Sequence, residues 1–256
     1  MLIGLTDVSK RYTTRSGGVV TALERVTFGV GADEFVTIVG ASGCGKSTVL
    51  KLIGGLVAPT SGRVVLRGEP VRGPSRDTGM VFQNAVLLPW RSVRDNILFP
   101  IEMLGWRLDD YRAEAERLIE LVGLSGFERA IPRELSGGMQ QRVSICRALI
   151  HDPTLLLMDE PFGALDAMTR EELGMQLLGL WSARRKTVVF VTHSISEAIL
   201  LADRVIVMTP RPGRVVTTLT VGLPRPRTVD MEFSEEFKGY TKLIRDAIAS
   251  PRADGR

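Results

Sequence analysis

The strongest constraint on the fold is a glycine-rich segment that lies between an apolar run and a helical one. Residues 35–39, Phe-Val-Thr-Ile-Val, have the pattern of a buried strand, and residues 40–48 read Gly-Ala-Ser-Gly-Cys-Gly-Lys-Ser-Thr. Backbone N–H groups in such a loop can turn inward on one anion, and the N-terminus of the following helix adds its positive end. The order of strand, glycine loop and helix therefore predicts a phosphate-binding site.

The loop supplies the first candidate binding residues. Lys46 offers a point charge to the β and γ phosphates of a nucleotide, and the Ser47 hydroxyl is suited to ligate Mg²⁺. For Cys44 the simplest interpretation is a small loop residue, and the alternative is a thiol whose oxidation would block ATP. The loop residues that we expect to contact ATP are Gly40, Ser42, Gly43, Cys44, Gly45, Lys46, Ser47 and Thr48.

Two carboxylates follow a second apolar run. Residues 155–158, Leu-Leu-Leu-Met, precede Asp159 and Glu160, so both acids emerge where open α/β sheets bind ligands. Asp159 is suited to hold Mg²⁺, and Glu160 is suited to align and deprotonate a water that attacks the γ phosphate. Taken alone, the two acids are equally consistent with the start of a helix, where acidic residues are common.

Short β-rich runs, followed by helical patterns, predict an α/β fold in which buried parallel strands are joined by crossover helices. Apolar residues at helical spacing predict a helix over residues 109–122, with Gly123 as its C-cap, and a last helix over residues 234–249. The predicted strands are residues 2–9, 21–30, 34–39, 63–66, 155–158, 188–192 and 205–208.

Composition and charge exclude several other classes of protein. Apolar residues make up 44% of the chain and charged residues 24%, which excludes a disordered or fibrous chain. The net charge of +4 is too small for a dedicated nucleic-acid binder, so no nucleic-acid partner is expected. Two cysteines and two histidines, none at metal-ligand spacing, predict neither a disulfide scaffold nor a structural zinc site. No apolar run approaches the roughly 18 residues of a membrane-spanning helix.

A third motif identifies a family. Residues 135–142, Leu-Ser-Gly-Gly-Met-Gln-Gln-Arg, resemble the signature of ATP-binding cassette (ABC) ATPases. Ser136, Gly137 and Gly138 would open a helix that runs to about Ile150, so that N–H groups, a hydroxyl and the helix dipole converge on one anion. The resemblance implies that this second phosphate site faces the glycine loop of another subunit in a head-to-tail homodimer, with ATP between them.

The remaining cassette motifs occur in order over residues 1 to about 215. The resemblance implies that Tyr12 stacks on adenine and that Gln83 lies near Mg²⁺ and the permease. It also implies that Asp166 crosses between subunits and that His193 contacts the γ phosphate and orients the water. By residue type alone, Tyr12 would be a strand-packing residue, Gln83 a solvated side chain and His193 a core residue. The candidate catalytic residues are Glu160, His193, Lys46 and Gln83, and the candidate Mg²⁺ ligands are Ser47, Gln83 and Asp159.

The resemblance also implies an architecture and partners. The fold expected is a P-loop NTPase core with a mainly parallel sheet, an antiparallel β subdomain and an inserted α-helical subdomain. The cassette is expected over residues 1–215, with the helical subdomain at about 88–150 and a helix-containing tail at 216–256. The implied partners are transmembrane permease subunits and, indirectly, a periplasmic or lipid-anchored solute-binding protein. Such a subunit lies peripherally on the cytoplasmic side of the inner or plasma membrane.

Two segments resemble the nitrate, sulfonate and taurine importer branch of the family. They are residues 87–93, Leu-Leu-Pro-Trp-Arg-Ser-Val, and residues 208–214, Met-Thr-Pro-Arg-Pro-Gly-Arg. Trp90 is expected either in a docking groove for the permease or in the packing of the helical subdomain. Arg211 and Arg214 are expected either at anionic lipid or in a solvated basic tail. The predicted function is ATP-driven uptake of a small anion such as an aliphatic sulfonate, taurine or nitrate, and the alternatives are the ATPase of a lipid or lipoprotein exporter and a non-transport ABC ATPase.

Overall fold

The computed structural model describes residues 1–14, 17–163, 165–183 and 185–249. The chain divides into two compact units, the first formed by Met1–Ser75 with Arg185–Arg256 and the second by Arg76–Arg184. The strands are β1 (Ile3–Thr13), β2 (Val19–Val30), β3 (Phe35–Gly40), β4 (Ser61–Leu66), β5 (Glu69–Pro70), β6 (Thr78–Val81), β7 (Leu155–Asp159), β8 (Thr187–Thr192), β9 (Arg204–Met208) and β10 (Val215–Thr220). The α-helices are α1 (Lys46–Ile53), α2 (Val93–Met103), α3 (Arg112–Leu121), α4 (Gly137–Leu149), α5 (Ala167–Ala183), α6 (Ile195–Leu201) and α7 (Glu235–Ala249).

The first unit contains an antiparallel sheet and a mainly parallel one. The antiparallel sheet has the order β2-β1-β4-β5. In the second sheet β3 lies between β8 and β9 and is parallel to both, and β10 closes the edge antiparallel to β9. All six residues of β3 and all six of β8 are buried, as expected for strands covered on both faces. This places the residues that follow β3 and β8 at the same end of the sheet.

The second unit is largely helical, with β6 and β7 paired in parallel. Its helices α2, α3 and α4 enclose an apolar core that includes Ile97, Leu118 and Cys146. Burial raises the pKa of the Cys146 thiol to about 12, so this thiol is neutral at physiological pH, and it donates to the Leu118 carbonyl. Cys146 is thus a core residue.

The predicted α/β class, the mainly parallel P-loop core and the separate antiparallel sheet are all confirmed. The C-terminal helix is also confirmed, since Ser234 caps α7 by accepting a hydrogen bond from the N–H of Phe237. The predicted helix over 109–122 begins later than expected, because Leu108–Tyr111 form a 3₁₀ turn before α3. Three strands, β5, β6 and β10, were not predicted. Among the described residues, no helix has the length and apolar character required to cross a membrane.

Candidate functional site

The glycine loop connects β3 to α1 in the first unit, as predicted. Gly43 and Gly45 have φ angles of +73° and +104°, a left-handed region that favours glycine. A Cβ at Gly45 would lie 2.6 Å from Cδ2 of Leu23 and 2.9 Å from the carbonyl oxygen of Ala22. The loop therefore packs directly on β2, and glycine at position 45 is required by both conformation and space.

Lys46 begins α1, and its side chain folds back over the loop. Its Nζ donates to the carbonyl oxygens of Gly40, at 3.0 Å, and Ala41, at 3.2 Å. Only 4% of the residue is exposed. Cys44 is fully buried in the same loop, which favours its interpretation as a small packing residue over that of a reactive thiol. The Lys46 ammonium is thus held at the glycine loop, where the sequence predicts a phosphate.

Tyr12 and His193 also belong to the first unit, and neither is a core residue. Tyr12 lies near the end of β1 with 37% of its surface exposed, and Nζ of Lys10 lies 5.1 Å from the centre of its ring. His193 is exposed directly after the buried strand β8. The next residue, Ser194, caps α6 by accepting from the N–H of Glu197 at 3.3 Å, which fixes the turn that carries the imidazole. The core alternative for His193 is therefore wrong, whereas Tyr12 is a strand residue that keeps part of its ring exposed.

The two carboxylates lie at the end of β7 in the second unit. Asp159 is the last residue of the strand, and Glu160 has a φ of +44°. A left-handed conformation is uncommon for glutamate and costs free energy, so it marks a position that the fold constrains. Residues 161–163 form a turn, and α5 begins only at Ala167. The alternative that the two acids start a helix is therefore wrong.

Gln83 lies close to Glu160 within this unit. A Cβ added to Gly163 would lie 3.6 Å from Nε2 of Gln83 and 3.6 Å from Cβ of Glu160, so both side chains border the same glycine. The segment before Gln83 is held by Gln141 of α4, whose Nε2 donates to the Phe82 carbonyl at 3.2 Å. The fold thus brings together two of the four candidate catalytic residues, and Gln141 of the signature holds the segment that leads to one of them.

The signature residues open α4 as the sequence predicts. Ser136 is the N-cap, and its Oγ accepts from the N–H of Met139 at 3.3 Å. Ser136 and Gly137 are exposed, and Gly138 is half-buried. Gly138 packs against Thr169, since a Cβ at position 138 would lie 3.0 Å from Cγ2 of Thr169. The first N–H groups of a helix have no partner within it, so this exposed helix start is suited to accept an anion.

Asp166 caps α5 in the same unit. Its Oδ1 accepts from the N–H of Thr169 at 3.0 Å. The hydrogen bond from the Thr169 backbone, helped by the Thr169 hydroxyl, lowers the pKa of the Asp166 carboxyl, which is exposed. Thr169 therefore contacts the signature at Gly138 and the predicted inter-subunit residue Asp166. Ala164, which precedes Asp166 in the motif, lies outside the described residues.

The candidate magnesium ligands suit the ion in their chemistry. Ser47 offers a hydroxyl oxygen, Gln83 an amide carbonyl oxygen and Asp159 a carboxylate, and Mg²⁺ prefers such hard oxygen donors. Among the described residues, no group of three or more His, Cys, Asp or Glu is arranged to hold a metal ion. The donor set therefore fits a magnesium ion that arrives with a nucleotide. The protein would then provide only some of the ligands of the ion.

The segment of residues 87–93 carries an exposed aromatic side chain. Trp90 is 75% exposed, so the alternative that it packs within the helical unit is wrong. The turn that carries it is fixed by the buried Asn96, which accepts from the N–H of Leu88 at 2.8 Å and donates to the Arg91 carbonyl at 3.0 Å. The side chain is thus an exposed aromatic group on a rigid turn.

The two arginines in 208–214 are exposed, as the solvated interpretation expects, and each is also bonded to a neighbouring segment. Arg214 forms an ion pair with Glu24 of β2 at 2.8 Å, and Nε of Arg211 donates to the Gly43 carbonyl of the glycine loop at 3.3 Å. Residues 209–214 therefore pack on the nucleotide-loop region and are not a free basic tail. Gly213 is the residue in the sequence that could have indicated this packing. A Cβ at position 213 would lie 2.0 Å from the Cys44 carbonyl oxygen, a contact that only the folded chain shows.

Comparison with known proteins agrees with this arrangement. A family model described as ABC transporter matches residues 23–163. An uncharacterized ABC transporter ATP-binding protein of Methanocaldococcus jannaschii is 47% identical over 91% of this chain and 88% of its own. A taurine import ATP-binding protein of Burkholderia thailandensis is 49% identical over 86% of this chain and 84% of its own. Among solved structures, a dimeric post-hydrolysis state of the ATP-binding cassette MJ0796 bound to ADP and Pi aligns with a TM-score of 0.77 and 33% identity, covering 87% of this chain and all of the other.

Proposed function

This chain belongs to the ABC transporter family and is one of its ATP-binding, ATP-hydrolysing subunits, and from that premise we propose that it energises the import of a small anion. The cargo class proposed is an aliphatic sulfonate, taurine or nitrate. Support comes from the likeness of the 87–93 and 208–214 segments to the importer branch, and from the identity of 46% and 49% to two proteins named for taurine import.

We propose the following roles in ATP hydrolysis. The N–H groups of the glycine loop and the ammonium of Lys46 bind the phosphate chain, and Tyr12 stacks on the adenine. Glu160 accepts a proton from the attacking water, which His193 orients at the γ phosphate, and Gln83 positions that water beside Glu160. Ser47, Gln83 and Asp159 would hold a magnesium ion, which would neutralise negative charge on the phosphates.

The proposed working form is a homodimer in which each ATP is also bound by the partner's signature. Ser136, Gly137 and Gly138 then meet the γ phosphate, and Asp166 lies at the subunit boundary. Shifting a dimer from 1:99 to 99:1 closed requires about 5.5 kcal/mol, or about 2.7 kcal/mol for each of two equal sites. A few charge-assisted hydrogen bonds to one phosphate provide that amount, and ADP lacks the phosphate that would accept them.

We propose that the exposed turn around Trp90 docks on the transmembrane permease. The observation that carries this proposal is the combination of an aromatic side chain that is 75% exposed with a turn fixed by Asn96, since exposed aromatics on rigid supports are typical of protein interfaces. The chain is then peripheral, on the cytoplasmic face of the membrane, and meets a solute-binding protein only through the permease. In this proposal the cassette is residues 1–215, with a helical subdomain at about 88–150 and a tail at 216–256.

Uptake measurements test the proposed transport direction and cargo. We expect cells that express this chain with its cognate permease and binding protein to accumulate labelled taurine, an alkanesulfonate or nitrate. The Trp90→Ala chain should abolish most uptake while its isolated ATPase activity remains, because only docking is lost. Export of a lipid substrate, or ATPase activity with no associated transport, would contradict the proposal and favour one of the two alternative functions.

A further inference from the structure

Residues 209–214, here called the Arg211 turn, form a rigid unit directly behind the glycine loop. Within the turn, Thr209 Oγ1 donates to the Pro212 carbonyl at 2.8 Å and accepts from the Arg214 N–H at 2.9 Å. The turn is joined to β2 by two backbone hydrogen bonds of 2.9 Å, from the Gly213 N–H to the Ala22 carbonyl and from the Glu24 N–H to the Gly213 carbonyl. Its position relative to β2 is thereby fixed.

The same turn contacts the glycine loop at two points. The backbone of Gly213 lies so close to the Cys44 carbonyl oxygen that a Cβ would be 2.0 Å from it. Nε of Arg211 donates to the Gly43 carbonyl at 3.3 Å, and its Nη2 lies 3.5 Å from where a Cβ on Gly43 would be. An exposed arginine therefore lies against Gly43, a residue type whose backbone has wide conformational freedom.

The peptide between Gly43 and Cys44 is held in one orientation by its two ends. Its carbonyl points to Arg211, and its N–H, on the opposite side of the planar group, donates to the Ala41 carbonyl inside the loop at 3.2 Å. Gly43 populates both signs of φ at little cost, so the glycine alone does not fix this peptide. If the peptide rotated, its carbonyl oxygen would turn to the inside of the loop, where it would repel the phosphates of the proposed nucleotide.

We propose that Arg211 is a positioning residue of the ATP site, which acts by holding the Gly43 carbonyl away from the phosphate chain. This inference rests on the proposed binding of ATP in the glycine loop and extends it to a residue far along the chain. Arg211 acts through its Nε–H donor and not through its charge. Arg211, although 168 positions away along the chain, is then part of the nucleotide site, whereas Arg214 of the same turn is not.

Two substitutions separate the donor from the charge. The side-chain nitrogen of glutamine is the same number of bonds from Cα as Nε of arginine, so Arg211→Gln keeps the donor and removes the charge. Arg211→Met has nearly the same length and offers neither. Arg214→Met is the matched control, because it removes an exposed arginine of the same turn that is paired with Glu24 and does not bond to the loop.

The test is calorimetric binding of ADP, which is not turned over, together with kcat and KM for ATP. We expect Arg211→Met to weaken ADP binding and raise KM by about 3- to 10-fold, the effect of one hydrogen bond, with kcat changed less than about 2-fold. Arg211→Gln should recover most of the affinity, and Arg214→Met should bind as the wild type does. The loss should not depend on salt concentration, since no long-range charge effect is involved.

Amide hydrogen exchange at Cys44 gives a readout independent of activity. We expect its N–H to exchange faster in Arg211→Met than in the wild type or Arg211→Gln; if Arg211→Met does not fold, Arg211→Ala replaces it as the donor-free variant. Equal ADP binding by the wild type and the donor-free variant would overturn the role of Arg211, as would equal losses in the glutamine and methionine variants. Failure of the wild type itself to bind ADP would instead overturn the proposed nucleotide site.

Discussion

At the scale of single residues, Glu160 combines an unusual backbone conformation with a chemically defined neighbourhood. Its φ of +44° lies in a region that glutamate rarely adopts, and its side chain shares the border of Gly163 with Gln83. Strained residues of this kind concentrate at functional sites, where the surrounding fold enforces a conformation that the chain alone would avoid. Six other non-glycine residues among those described also have positive φ angles, so the support for Glu160 as the general base comes from its place directly after β7 and beside Gln83.

Replacing Glu160 by glutamine should separate binding from hydrolysis. We expect kcat to fall by about 10²- to 10⁴-fold, the usual contribution of a general base, while ATP binding persists. Glu120→Gln, on the exposed face of α3, is the control and should retain full turnover. The measurement is steady-state phosphate release together with nucleotide binding, and a Glu160→Gln protein with undiminished turnover would exclude the assigned role.

At the scale of elements, the buried arginine of the tail joins the last part of the chain to α6. Arg227 is 2% exposed, and its guanidinium donates to the carbonyl oxygens of Ile199 at 2.8 Å, Ala202 at 2.6 Å and Val221 at 3.1 Å. Burial is the main cause that lowers the pKa of Arg227 to about 10, which still leaves the group charged at neutral pH. The dipole of α6 also stabilises a cation at the C-terminus of the helix. The tail therefore supports the helix that follows His193.

Arg227→Met should destabilise the first unit. The loss leaves buried carbonyl groups without their donor, and one such unsatisfied group costs about 1 to 3 kcal/mol. We expect a lower urea midpoint and faster amide exchange in α6, whereas Arg245→Met, on the exposed side of α7, should unfold at the wild-type midpoint. An unchanged midpoint for the Arg227→Met protein would show that the tail does not support α6.

The elements differ in how well the sequence predicts them, and the reasons are physical. β3 and β8 are uniformly apolar because both faces are covered, so their pattern is unambiguous. β6 has only four residues and includes Gly79. A Cβ at position 79 would lie 2.4 Å from the Ala148 carbonyl oxygen, so close packing requires glycine there and the apolar pattern of a strand is interrupted. β10 is an edge strand rich in threonine that directly follows the prolines of the Arg211 turn.

The candidate site shows the same division. The glycine loop, the carboxylates at the end of β7 and the signature could be predicted, because each is a contiguous motif whose chemistry depends on local geometry. The φ of Glu160 and the bond from Arg211 to Gly43 could not, because they depend on how distant segments meet in the folded chain. Arg211 lies 168 positions from the carbonyl that it contacts.

At the scale of the whole molecule, the proposed functional residues are distributed over both compact units. The glycine loop, Tyr12 and His193 belong to the first, and Gln83, the carboxylates and the signature belong to the second. In the proposal, the exposed start of α4 at Ser136 contacts a nucleotide that is bound by another copy of the chain. The central claim is therefore that ATP, and not ADP, joins two copies.

Light scattering of the Glu160→Gln chain with Mg-ATP tests this claim most directly. The same measurement on the chain bound to its permease serves as the comparison. The account predicts a mass near 28.1 kDa for the isolated chain without nucleotide or with Mg-ADP, and about twice that value with saturating Mg-ATP. A second substitution, Ser136→Phe, should prevent the increase by blocking the helix start. A monomer at saturating Mg-ATP, or a dimer that forms equally well with ADP or without Ser136, would contradict the account.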